Sequence, residues 1–276
     1  MGWLMDLFSY DLMRNALMAG ILVGILCPAI GAYLVVQRMS FLGNVVSHAL
    51  LPGLAIANFL QLPLSLGAFV VGIFSTFLTA WIGVQSKIKV DTAMTMTLSS
   101  FFALGIVLLT VLRTRLNLES LLFGDILTIT QSDTWLVLAI AAIVFVGIKL
   151  FYKELLYFPF DPAGAAAIGL PVQVINFGLM AAITLTIVAG IQAVGVVLVV
   201  SLMVTPSATA FLLVKELHWM MALGSLLGAV SSVIGMYASY YLDVPCGPAI
   251  ALIVFVGFLL ALFLSPSQGI LTRYWR

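Results

Sequence analysis

The sequence predicts an all-α polytopic membrane protein of about nine transmembrane helices, eight to ten at the limits, and three observations predict it. Of 276 residues 63% are hydrophobic and only 8% charged, and the mean hydropathy is +1.25. So few polar side chains cannot cover a water-facing globule, and the surroundings must be mostly lipid. The apolar residues come in long runs without period-two alternation. In hydrocarbon every backbone N–H and C=O has to be satisfied internally, which here selects helices over a barrel. The runs also have the length of roughly 20 residues that spans a bilayer core.

They fall at 15–37, 41–60, 62–86, 92–112, 133–152, 174–191, 194–214, 219–242 and 247–264. The first is followed by Gln37 and Arg38 rather than a small-residue cleavage site, so it reads as a retained span and not a removable signal peptide. The second and sixth read as short or broken. Between the fourth and fifth lies a connection, 113–132, whose stretch 118–130 is apolar enough to lie as an interfacial or re-entrant helix. Between the fifth and sixth lies FPFDPAGAAAIGLPV, 158–172. Asp161 can cap a short helix there, Pro162 suits its first position, and Gly169 with Pro171 stops it. Such a helix is a surface for a soluble partner, an ordinary capped connector being the other reading. The whole of 1–276 reads as one transmembrane domain with this segment inside it.

A net charge of +1 offers no field for nucleic acid, but its distribution orients the chain. With the amino end outside, Arg38, Lys87, Lys89, Lys149, Lys153, Lys215, Arg273 and Arg276 are all cytoplasmic, and only Arg14, Arg113 and Arg115 are external. The carboxylates Asp6, Asp11, Glu119, Asp125, Asp133 and Asp243 then lie outside, where such a mouth would attract cations. Cys27 and Cys246 sit in or beside apolar runs and read as small packed residues. The twelve Met read mostly as packing.

Ionisable groups inside lipid are costly, so an intramembrane His is a functional candidate by default. His48, in SFLGNVVSHALLPG, lies roughly 10 Å into the second span at 1.5 Å per residue. Asn44 is one turn earlier on the same face, and Ser40 and Ser47 extend the polar stripe. Pro52 follows, and its missing N–H frees a carbonyl at or near His48. Imidazole is a good ligand for divalent manganese, zinc or iron, whereas an Asn carbonyl is a weak, hard one. One of each makes a loose site, as a transporter requires, and two copies on a dimer axis would double it. The alternative is that His48 hydrogen-bonds between helices as structural glue. In the seventh span Ser201, Thr205 and Thr209 share a face around Pro206 and are candidates to line a cavity, although such hydroxyls often bond back to their own helix. His218, beside Trp219 at an interface, reads as a surface residue.

No phosphate loop, H-E-x-x-H or G-x-S-x-G occurs, and no charged cluster lies within the spans. The chain has no visible means of hydrolysing ATP or of ion coupling, so energy must come from a partner.

At GAYLVVQRMSFLGNVVSHALLPGLA (31–55), SSFFALGIVLL (99–109), LFGDIL (122–127), LFYKELLYFPFDP (150–162), GLPV (169–172), GVVLVVSLMVTPSATA (195–210) and DVPCGPAIAL (243–252), the sequence resembles the zinc/manganese-type permease family of bacterial ABC importers. The resemblance implies a homodimer in the bacterial inner membrane, two cytoplasmic ATP-binding subunits, and an external metal-binding protein delivering Mn2+, Zn2+ or Fe2+ as cargo, with no permanent cofactor. It implies that Asp161, Pro162, Gly169, Leu170 and Pro171 belong to a coupling helix on the ATPase, and that the chain itself is no enzyme. In that family the second span usually reads F-L-G-D-x-x-S-H, so His48 matches and Asn44 replaces the Asp. The coupling segment has Ala163 and Gly164 where an acidic residue is common. A permease for a metal chelate of siderophore or cobalamin type, and a stand-alone secondary metal carrier, are the competing readings.

Overall fold

In a computed structural model of the chain, residues 11–86, 88–114, 124 and 129–265 are described. They form α1 (Asp11–Val36), α2 (Phe41–Ala49), α3 (Leu51–Phe59), α4 (Leu64–Gln85), α5 (Val90–Val111), α6 (Gln131–Leu150), α7 (Tyr152–Tyr157), α8 (Pro162–Ala167), α9 (Val172–Val194), α10 (Val196–Leu213), α11 (Leu217–Leu242) and α12 (Cys246–Leu264). Among the described residues nine segments are long and apolar enough to cross a membrane, α2 and α3 together making the second. The predicted all-helical, nine-span architecture is therefore the observed one. Two details differ from expectation. The sixth span is neither short nor broken: α9 runs through Gln192 to Val194, and the chain reverses at the single residue Gly195, whose φ of +83° suits a residue without a Cβ. A short helix, α7, also stands apart from the fifth span, because the ladder is interrupted at Phe151. Most of 118–130, with Glu119 and Asp125, and also Asp6, Lys87, Arg115, Arg273 and Arg276, lies outside the described residues.

Helix ends follow from local chemistry. Thr130 and Asp133 form a reciprocal capping box at the start of α6, with Asp133 accepting from the Thr130 N–H at 3.0 Å. Prolines 63, 171 and 245 hold the N-cap positions of α4, α9 and α12. Four helices end on a left-handed residue that is not glycine: Arg38, Gln61, Arg113 and Asp243, at φ between 49° and 58°. At Arg38 the Met39 N–H reaches back to the Leu34 carbonyl at 2.8 Å, closing a Schellman turn that satisfies an otherwise orphaned carbonyl.

α1 is the central helix, packed on α6, α9, α10 and most extensively α11. Its enclosure contrasts with α5 and α12, whose large side chains, such as Leu104, Val107, Leu252, Phe255 and Leu260, face outward as lipid contact requires. Close approach at the centre depends on small residues. An added Cβ at Gly31 would strike the Met203 carbonyl of α10, and Cβ atoms at Gly24 and Gly228 would each strike the other's backbone. Hydroxyls join the same helices: Ser207 donates to the Pro28 carbonyl at 2.9 Å and Ser225 to that of Ile25 at 2.8 Å.

Near the end of α1 the Tyr33 hydroxyl and the Gln37 amide nitrogen are buried with no hydrogen-bond partner. An unpaired buried polar group costs about 1–3 kcal/mol. Tyr33→Phe is accordingly expected to raise the thermal midpoint in detergent by about 2–4 °C. A fall of several degrees would show that the hydroxyl is bonded in the native protein.

Candidate functional site

The second span is interrupted where the sequence places Pro52. Without an N–H, Pro52 leaves the His48 carbonyl, four residues earlier, without its α-helical donor. The ladder breaks at Leu50, whose N–H turns to that carbonyl, and α3 restarts at Leu51 with Pro52 in its first turn. Leu50 keeps helical torsions, φ −73° and ψ −20°, so the span continues beyond the break. His48 thus occupies the last turn before an interruption.

His48 and Asn44 are both half-buried on α2. Among the described residues, His48 is the only His, Lys, Arg, Asp or Glu more than one turn from the end of a span. Its ring nitrogens make no hydrogen bond to any described residue, and neither does the Asn44 side chain. The glue reading of His48 has no bond to rest on here. What touches the imidazole is Phe102 of α5, ring centroids 5.7 Å apart and planes at 85°. Sequence reasoning did not single out Phe102, since one Phe in an apolar helix carries no signal of its contact.

The other predicted residues divide. Ser40 stands at the N-cap of α2, half-buried, without a side-chain cap bond. Ser47 is buried and donates to the Gly43 carbonyl at 2.8 Å. On α10, Ser201 and Thr205 are half-buried, whereas Thr209 is buried and donates to the Thr205 carbonyl at 2.8 Å. Ser47 and Thr209 have the self-bonded geometry usual for hydroxyls in membrane helices. α2 does pack on α10, with Gly43 beside the Met203 sulfur. No hydrogen bond joins Asn44 or His48 to Ser201, Thr205 or Thr209. The polar residue of α10 that reaches across is Ser207, which the sequence reading passed over, and it serves the core with α1.

In the segment between α7 and α9, Asp161 accepts from the Gly164 N–H at 2.8 Å and caps α8, with Pro162 at its first position. Gly169, at φ +83°, ends it: the Leu170 N–H returns to the Ala165 carbonyl at 3.1 Å, and Pro171 leads into α9. Asp161, Gly169 and Pro171 are exposed and Leu170 is half-buried. His218 is a surface residue, 3.2 Å from the Glu216 carboxylate and with its ring 5.4 Å from that of Trp219. Cys27 is buried, Cys246 half-buried, and both are free thiols.

Chemically, one chain offers an imidazole and a carboxamide at a helix break and nothing denser. No group of three or more His, Cys, Asp or Glu gathers among the described residues. This suits passing contact with a cation rather than storage of one.

The model of the ABC 3 transport family matches residues 9–265. The chain belongs to that family. ABC 3 relatives include the manganese transport system membrane protein MntC of Halalkalibacterium halodurans, 42% identical over 98% of this chain and 93% of that protein. The chelated iron transport system membrane protein YfeD of Yersinia pestis is 36% identical over 96% and 90%. Among solved structures, PsaBC from Streptococcus pneumoniae in complex with Fab superposes with a TM-score of 0.89 at 36% identity, covering 99% of both chains. An inward-facing metal-chelate type ABC transporter, at a TM-score of 0.72 and 16% identity over 90% of this chain and 85% of that one, shares the fold.

Proposed function

We propose that this chain is the membrane-spanning permease subunit of an ATP-driven importer for divalent transition metals, manganese foremost, with zinc or iron as further cargo. The observation that carries the proposal is His48, the one deeply placed ionisable side chain among the described spans, paired with Asn44 at a proline break. Relatives named for manganese and iron transport over nearly the whole chain support it. Two copies pair so that His48 and Asn44 of each approach a common pathway, with Ser40, Ser201 and Thr205 as further lining. With each of the nine segments crossing in turn, the described basic residues Arg38, Lys89, Lys149, Lys153 and Lys215 fall on the side where α1 ends, and Arg14 and Arg113 on the other. The positive-inside rule then puts the amino end outside and the carboxyl end in the cytoplasm of a bacterial cell. On the cytoplasmic face, 158–172 forms the coupling segment, and α8 with Gly169, Leu170 and Pro171 docks on an ATP-binding subunit. An external metal-binding protein delivers the ion.

Reconstitution into liposomes with the ATP-binding subunits and the binding protein tests this. Radiolabelled manganese should accumulate only when ATP and both partners are present. Accumulation by the chain alone would identify a secondary carrier. Transport of a siderophore or cobalamin complex, with free metal ignored and His48 dispensable, would identify a chelate permease.

A further inference from the structure

A histidine that contacts a metal is normally oriented by a hydrogen bond from its other nitrogen to a carboxylate, carbonyl or water, which fixes both tautomer and ring direction. His48 has no such bond to any described residue. Its contact instead is aromatic: Phe102 meets it edge to face, at 5.7 Å and 85°, within the range and geometry that ring quadrupoles favour.

The helix that carries Phe102 is seated against the break. Gly105, one turn along α5, sits on the break itself: an added Cβ would lie 2.5 Å from Leu51 Cβ and 3.2 Å from Pro52 Cδ, so α5 is pressed against the start of α3. The preceding residue, Phe101, is turned inward, with its ring 6.1 Å from that of Phe74 on α4. Phe102 itself stays 39% exposed, a ring presented at a surface on a seated helix.

We propose that Phe102 is a positioning residue of the pathway, its ring orienting the His48 imidazole by an edge-to-face contact. The inference rests on the reading that His48 meets the cation.

The chain contains only two histidines, so 15N-histidine labelling of this chain alone, assembled with unlabelled partner subunits, yields one reporter in the pathway and one, His218, as internal reference. In wild type, added Mn2+ should broaden the His48 signals. Phe102→Leu keeps an apolar side chain and removes the ring. It should raise the Mn2+ concentration for half-broadening by roughly two- to tenfold with the fraction of folded transporter unchanged, and Phe102→Tyr should restore the wild-type value. A Phe102→Leu midpoint equal to wild type, or a Phe102→Tyr midpoint displaced as far as that of Phe102→Leu, would overturn the positioning role while leaving the pathway reading intact. Wild-type His48 signals indifferent to Mn2+ would overturn both.

Discussion

Replacing His48 with alanine is expected to lower metal uptake by about two orders of magnitude or more while the protein still inserts, folds and binds its ATP-binding subunits. The size follows from the proposed role: loss of a single supporting bond around a metal ligand commonly costs about 10–100-fold in affinity, this change would remove the proposed ligand itself, and no group of three or more His, Cys, Asp or Glu among the described residues stands by to replace it. The fold should tolerate the change, because His48 is half-buried and its one described partner is a ring contact with Phe102. Radiolabelled manganese uptake in a strain lacking its own importer measures the first effect, and co-purification of the ATP-binding subunits the second. Uptake at the wild-type rate would remove His48 from the pathway. Loss of assembly would make it the structural residue that its missing hydrogen bonds argue against.

That site was legible because lipid makes an ionisable side chain conspicuous. His48, Asn44 and Pro52 stand out against apolar neighbours, and the frame-setting proline sits four residues from the carbonyl it frees. The spans are legible for the same reason: long apolar runs have one solution in hydrocarbon, and all nine expected spans match the observed segments with ends displaced by a few residues. Asp161, Pro162 and Gly169 gave α8 its start and stop through rules that act within one turn. What stayed hidden depends on partners remote in sequence. Phe102 meets His48, and Ser207 meets Pro28, only through tertiary packing. Ser47 and Thr209 share helical faces with the other candidates, yet periodicity alone does not reveal that their hydroxyls turn back on their own helix. The sixth span, expected to end at 191 and to be short or broken, continues through Gln192 to Val194, and the structure uses Gly195 for a one-residue reversal.

The crossing of α1 and α11 has its own sequence pattern. Gly20 and Gly24 on α1, and Gly224 and Gly228 on α11, each form a G-x-x-x-G pair in an apolar helix, the pattern that lets two backbones touch. The structure crosses the two helices at Gly24 and Gly228. Pro28 deprives the Gly24 carbonyl of its helical donor, and that oxygen lies over Gly228, where a neighbouring backbone without a side chain can cover it. Gly228→Val would drive its Cβ into the Gly24 carbonyl and leave it 2.8 Å from the Pro28 Cγ. Neither obstacle is the end of a flexible side chain, so α1 and α11 must separate, taking with them the Ser225 bond to Ile25. Overpacking of this kind costs about 1–3 kcal/mol even where side chains can shift. We expect the thermal midpoint in detergent to fall by at least about 5 °C and the yield of monodisperse protein to drop with it. Gly257→Val is the control, since a Cβ there meets nothing within 4 Å and faces outward on α12. Equal behaviour of the two variants would mean that α1 and α11 do not cross at their glycines. A loss confined to Gly228→Val would place the stability of the bundle at the crossing of α1 and α11.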